Sequence, residues 1–110
     1  MDMNPDLLRG NLELILLSIL EAGPLYGLAI IQEAKGRTNG YFDFKEGSLY
    51  PALYRLERDG LLVAETGEIG GHGKPRKYYR LTEAGQAQLR HKRQEYAAFQ
   101  RAMRHVTGGA

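Results

Sequence analysis

From Leu7 to Leu20 apolar residues cover nearly the whole circumference of a helix, and Pro5 stands where a first helical turn tolerates proline. A helix that apolar must be buried on more than one side, which in a chain of 110 residues means a central position or a subunit interface. Ala22-Gly23-Pro24 stops it. Leu25-Tyr26-Gly27 leads into a second helix, in which Leu28, Ile31 and Ala34 or Lys35 keep helical spacing to about Arg37, before Thr38-Asn39-Gly40 closes it. A third helix occupies the stretch from Glu46, with Leu49, Ala52, Leu53 and Leu56 on one side and Gly60 marking its C-terminal cap. At about 100° per residue, Pro51, Tyr54, Arg55 and Arg58 fall on the opposite side, with Ser48 and Tyr50 on its flanks. That outer face is cationic and aromatic, and the helix's own core does not require it.

Two strand-like runs follow, Leu61 to Glu65 and Arg76 to Leu81, separated by a connection from Thr66 to Pro75 that holds four glycines and reads as a protruding hairpin tip. In the second run alternation puts Arg76, Tyr78 and Arg80 on one face and Lys77, Tyr79 and Leu81 on the other, so Tyr79 is assigned to the core. Thr82 then caps a last helix, along which Leu89, Tyr96 and Met103 repeat every seven residues, with Phe99 and Val106 three places after two of them and Lys92 interrupting the stripe. Such a stripe predicts packing against another helix, from a second subunit, with packing back onto its own domain as the alternative. The chain is therefore expected to be mainly α with a small β-hairpin: a winged helix-turn-helix over residues 1–81, its wing at about 61–81, and a C-terminal dimerisation helix and tail over 82–110.

Composition narrows the function. A hydrophobic content of 43% builds one modest core, and the absence of cysteine removes both disulfides and thiolate zinc sites. His72, His91 and His105 are scattered, with no second ligand at metal-binding spacing, so neither a metal nor any other cofactor is expected. No nucleophile has a nearby base and no phosphate loop occurs, which argues against an enzyme. The longest apolar run, Leu14 to Leu20, is far shorter than a membrane span, and the residues before it carry Asp2, Asp6 and a single arginine, unlike a signal peptide; a cytoplasmic protein with no membrane partner is expected. Charge is unevenly spread: residues 1–71 hold 6 Lys+Arg against 11 Asp+Glu, and residues 72–110 hold 9 against 2. That asymmetry points the second part toward a polyanion.

Double-stranded DNA is the polyanion this pattern suits. The third helix would enter the major groove, with Lys45 and Ser48 near its positive N-terminus, Arg55 and Arg58 reaching phosphates or guanine edges, and Tyr50 and Tyr54 packing on sugar or thymine methyl groups. Glycines let the hairpin approach the sugar-phosphate chain, and His72, Lys74, Arg76 and Lys77 supply charge beside them. The rival from another class is a protein-interaction module whose basic face docks an acidic partner without binding specific DNA.

Gly47-Ser48-Leu49-Tyr50-Pro51-Ala52-Leu53, Arg55-Leu56-Glu57-Arg58-Asp59-Gly60-Leu61 and Lys77-Tyr78-Tyr79-Arg80-Leu81-Thr82-Glu83-Ala84-Gly85 together resemble the PadR family of bacterial transcriptional regulators, and Pro24-Leu25-Tyr26-Gly27 fits that family's entry into its second helix. The resemblance spans roughly Leu12 to Leu89, and it is the combination at these separations that is specific. It implies a homodimeric repressor of a near-palindromic operator, often released by a small molecule. It implies that Ser48 and Tyr50 serve recognition, that Gly73-Lys74 with Arg76 forms a basic wing tip, and that Tyr26 and Gly27 join the DNA-binding positions at the second helix start. It also implies a dimer built by the last helix (Leu89, Tyr96, Phe99, Met103, Val106) with the first apolar helix (Leu12, Ile15, Leu16) joining in, as in the short-tailed members. Two positions depart from the family: Leu28, where many members carry tyrosine, and Lys45, where a serine cap is usual. Some relatives bind flat apolar compounds between subunits, often using a tryptophan. This chain has none, which leaves Tyr96, Phe99 and Met103, more simply dimer core, to line a space for a small aromatic effector.

Overall fold

A computed structural model describes residues 4–67 and 75–109. The order is α1 (Pro5–Arg9), α2 (Leu12–Leu20), β1 (Leu25–Tyr26), α3 (Gly27–Arg37), α4 (Glu46–Arg58), β2 (Leu62–Gly67), β3 (Arg76–Leu81) and α5 (Glu83–Thr107). The single first helix expected from Pro5 to Leu20 is two helices. Asn11 leaves helical geometry (φ −120°, ψ −1°), and its side-chain amide donates to the Leu7 carbonyl at 2.8 Å, closing α1 before α2 begins. The apolar circumference of α2 is explained by a central position: Leu16, Leu17, Ile19 and Leu20 are buried, with α3, α4, α5 and the sheet packed around them.

The core face of α3 lies one step from the expected one. Gly27, Ile30 and Ala34 are buried while Leu28 is exposed, because the helix starts at Gly27 itself, straight out of β1. Its C-terminal turn is held by Thr38, whose hydroxyl donates to the Ala34 carbonyl at 2.7 Å and accepts from the Phe42 amide at 2.9 Å. Helix α4 carries the expected stripe, with Leu49, Ala52, Leu53 and Leu56 all buried. Lys45 is its N-cap and supplies no side-chain hydrogen bond, and the helix runs continuously through Pro51. Gly60 ends it in the left-handed region (φ +78°), which lets the Leu61 amide reach back to the Leu56 carbonyl at 2.9 Å.

The hairpin is part of a three-stranded antiparallel sheet in the order β1-β3-β2. Strand β1, two residues long, carries too little periodicity to be read from sequence, yet it pairs Leu25 with Tyr79 and Tyr26 with Tyr78. Pairing on both sides makes β3 the central strand and changes one assignment: Tyr78 is buried on its own face, its ring edge-on to Tyr26 at 5.6 Å, whereas alternation had grouped it with the outward arginines. Strand β2 runs two residues further than expected, to Gly67.

Helix α5 is joined to the turn after α4 by a small polar knot. The Thr82 hydroxyl accepts from the Gly85 amide at 3.0 Å as an N-cap and donates to the Gly60 carbonyl at 2.6 Å, while the Thr82 amide donates to Leu61 at 3.1 Å. A Cβ on Gly85 would collide with the Leu61 carbonyl oxygen and lie 3.1 Å from its carbon. Leu89 then enters the same core as α2, α3 and α4, so that core runs past the boundary placed at residue 81. Further along, Arg93 makes a bidentate pair with Glu21 at 2.8 and 3.0 Å, and Lys92 stands 3.8 Å from Glu13, tying α5 to α2.

Gly85→Ala should destabilise the fold by about 1–3 kcal/mol, because backbone must move to admit the methyl group; an unchanged thermal midpoint would show that the junction is looser than its geometry. The Arg93 hydrogen bonds hold the Glu21 carboxyl below its ordinary range, outweighing burial, with charge attraction adding to the effect. A depressed folded-state pKa contributes stability above the unfolded value and loses it as pH falls through the folded one. Arg93→Gln should therefore melt below the wild type at about pH 7 in low salt and converge with it at about pH 2. A gap of equal size at both ends would assign the effect to packing instead.

Candidate nucleic-acid interface

Burial of the leucine stripe turns the rest of α4 outward. Ser48, Tyr50, Pro51, Tyr54, Arg55 and Arg58 are all exposed, as is Lys45 at the N-cap. Beside this face runs a groove of about 520 Å³ lined by Tyr26, Gly27, Leu28, Tyr50, Tyr54, Arg76, Lys77 and Tyr79. It brings together the start of α3, the outer flank of α4 and strand β3, three segments far apart in sequence. Six of the residues singled out from sequence meet here: Tyr26, Gly27, Tyr50, Tyr54, Arg76 and Lys77. Ser48, Pro51, Arg55 and Arg58 on helix α4, and Lys45 at its N-cap, stand outside the groove. His72, Gly73 and Lys74 lie outside the described residues.

The groove is shaped by one close contact. Tyr50 lays its ring where the side chain of residue 27 would be: a Cβ on Gly27 would fall 2.7 Å from the Tyr50 Cζ and 2.8 Å from its Cε1, and would collide with the hydroxyl. Gly27 thus holds its place for space, since its backbone is ordinary helix. Tyr50 covers the α3–α4 edge while keeping 39% of its surface exposed. Burial, and then the charge of Glu46, push its phenol above the ordinary range, so it stays a neutral hydrogen-bonding hydroxyl at neutral pH. Tyr26 caps α3 without a side-chain hydrogen bond, which leaves the first amides of that helix free of a side-chain acceptor.

The cations are held by aromatic rings and carboxylates. The Arg76 guanidinium lies 4.3 Å from the Tyr26 ring centre and the Lys77 ammonium 5.4 Å from that of Tyr79. Lys77 also pairs with Glu57 at 3.5 Å, and Arg58 with Asp59 at 3.4 Å. Tyr79, then Glu57, raise the Lys77 pKa against burial; phenols ionise only in alkaline solution, so at neutral pH Glu57 is the countercharge. Sequence reasoning passed over Leu28, Tyr79 and Glu57 as members of this surface. Tyr79 is core as expected but also forms a wall of the groove, and nothing in the α4 periodicity shows that Glu57 meets a strand 20 residues on.

A second surface lies along α5, where Tyr96, Phe99, Met103 and Val106 are exposed at 43, 53, 47 and 86%. Leu12 and Ile15 are half-buried. Leu16 and Leu89, expected at the same interface, are closed inside the chain's own core and present no surface to a partner. The heptad stripe thus divides between intrachain core at Leu89 and an open face from Tyr96 to Val106. Among the described residues no three His, Asp or Glu side chains gather as metal ligands, and no described helix is long and apolar enough to cross a membrane.

The family model for PadR-like transcriptional regulators matches residues 16–91, from the centre of α2 through the wing into α5. An uncharacterized protein of Lysinibacillus sphaericus is 40% identical over 92 residues, 84% of each chain. Among solved structures, a transcriptional regulator from Clostridium thermocellum superposes with a TM-score of 0.80 at 32% identity, covering 89% of this chain and 94% of that one. PadR of Bacillus subtilis, solved in complex with operator DNA, superposes with a TM-score of 0.62 at 29% identity over 72% of this chain and 44% of its own. The motifs at Gly47–Leu61 and Lys77–Gly85, the three-stranded winged fold and the matched span agree, and the chain belongs to the PadR-like family of transcriptional regulators.

Proposed function

We propose that the protein is a sequence-specific DNA-binding regulator that acts as a homodimer and represses transcription from a near-palindromic operator. The observation that carries this reading is the outward face of α4 joined to the Tyr26–Tyr50–Arg76 groove, where cations, hydroxyls and the start of α3, whose first amides have no side-chain acceptor, meet on one surface. Cations and amides suit phosphates, and the exposed Tyr54, Arg55 and Arg58 are placed to read base edges once α4 lies in the major groove. The likeness to PadR bound to operator DNA supports the assignment.

Support for the dimer comes from the open apolar stripe of α5 and the half-buried Leu12 and Ile15. Two copies related by a two-fold axis would offer two α4 helices to successive major grooves, which accounts for a near-palindromic site. An apolar cavity of about 430 Å³ between α1, α2 and the segment before α4, walled by Leu14, Ile15, Tyr41, Phe42 and Tyr96, is the place where a small aromatic effector would act. Because Phe42 stacks on Phe44 two residues ahead of α4, a molecule seated there touches the approach to the recognition helix.

Replacing both Arg55 and Arg58 with glutamine should leave the melting temperature within experimental error of the wild type and reduce the logarithmic salt dependence of duplex binding by up to about two. Affinity for DNA that ignores salt would turn the reading toward an acidic protein partner. Tyr96→Asp should yield a monomer by light scattering and lose most operator affinity, since one half-site has half the contacts. A monomer that still held the operator tightly would contradict the scheme.

A further inference from the structure

Among the described residues, three cations near this face are already paired with carboxylates of the same chain: Arg58 with Asp59 at 3.4 Å, Arg80 with Glu65 at 2.9 Å and Lys77 with Glu57 at 3.5 Å. They differ in what they join. Arg58 and Asp59 are neighbours in sequence at the end of α4, and Arg80 and Glu65 pair within the wing sheet. Of the three, only Lys77 and Glu57 link strand β3 to helix α4, two of the three segments that line the groove.

Lys77 lines that groove beside Arg76, and an anion seated against Lys77 needs the same ammonium that Glu57 holds. Glu57 has little freedom to withdraw. It belongs to a helix anchored by the buried Leu53 and Leu56, and its side chain keeps only 34% of its surface exposed, against 54% for Lys77. A phosphate that reaches Lys77 must therefore displace Glu57 or share the cation with it, at a few ångströms from a fixed negative charge. Loose, sequence-independent contact with the DNA backbone rests almost wholly on such cation–phosphate attraction, so it bears this penalty in full.

We infer that Glu57 is an internal competitor for Lys77 that limits the protein's affinity for DNA of arbitrary sequence. The inference rests on the reading of this surface as a DNA interface. It assigns a role to a carboxylate on the recognition helix, a place where negative charge would otherwise only oppose binding.

The test measures binding of the full chain to a short labelled duplex of mixed sequence by fluorescence anisotropy over a salt series, for wild type, Glu57→Gln, Lys77→Gln and the double variant. Glu57→Gln should bind about two- to five-fold tighter, the range an exposed ion pair supports, with its salt slope steeper by up to about one. Lys77→Gln should bind more weakly, and in that background Glu57→Gln should bring no gain. An unchanged affinity on Glu57→Gln overturns the inference, and so does an equal gain with and without Lys77, which would make Glu57 a general repulsive charge. Melting curves accompany each variant, and Glu57→Ala, with the same expected gain, replaces Glu57→Gln if the latter melts lower. Absence of wild-type binding to any duplex in low salt sinks the DNA reading itself, and it is read before the variants are compared.

Discussion

Helix α4 is fixed in rotation by the burial of Leu49, Leu53 and Leu56 in the core around the largely apolar α2, and every feature of the outer surface depends on that rotation. Each fully buried leucine contributes on the order of 1.5–3 kcal/mol relative to exposure, so turning the helix by even one residue step would forfeit several side chains at once. With the inner stripe held, helical geometry leaves Ser48, Pro51, Tyr54, Arg55 and Arg58 no direction but outward. The surface that reads as a nucleic-acid interface is thus the complement of a hydrophobic requirement. Its charge can vary at small energetic cost because none of it is needed for the core.

Two glycines bring the remaining parts close enough to act with that helix. At Gly27 the missing Cβ admits the Tyr50 ring, which lets the start of α3 and the flank of α4 form one continuous wall. At Gly85 the missing Cβ admits the Leu61 carbonyl, and the Thr82 hydroxyl bonds both sides of the same crossing. The first contact defines the groove, and the second sets where α5 leaves the winged domain. Beyond Leu89 that helix is held to α2 by ion pairs at Glu13 and Glu21 and then runs free, with its apolar stripe open. One long helix therefore serves intrachain core at its beginning and leaves an exposed apolar stripe at its end.

Electrostatics on the outer surface is more balanced than a count of arginines and lysines suggests. Arg58, Lys77 and Arg80 have carboxylates within ion-pair distance, and Arg76 rests on an aromatic ring. Exposed pairs of this kind are individually weak. The strongly basic segment beyond residue 72 and the acidic one before it are interleaved in space, because β3 lies against β2 and beside α4.

The amphipathic stripe of α4, the Gly60 stop, the two long strands and the Thr82 cap were all legible in the sequence, because each is a local signal: periodicity, a left-handed glycine, a side chain that bonds its own helix start. The motifs at Gly47–Leu61 and Lys77–Gly85 carried the family for the same reason, since the turn and cap chemistry they encode acts over a few residues. What sequence alone left undecided depends on neighbours distant along the chain. Strand β1 exists only because β3 pairs with it, and that pairing buries Tyr78 against expectation. The burial of Leu16 and Leu89, the break at Asn11 and the meeting of Lys77 with Glu57 likewise follow from packing and hydrogen bonding that no spacing displays. Local propensity and periodicity determine which elements form and which way they face, while the tertiary structure decides which exposed groups become neighbours, because only the folded chain sets distances between segments that the sequence keeps apart.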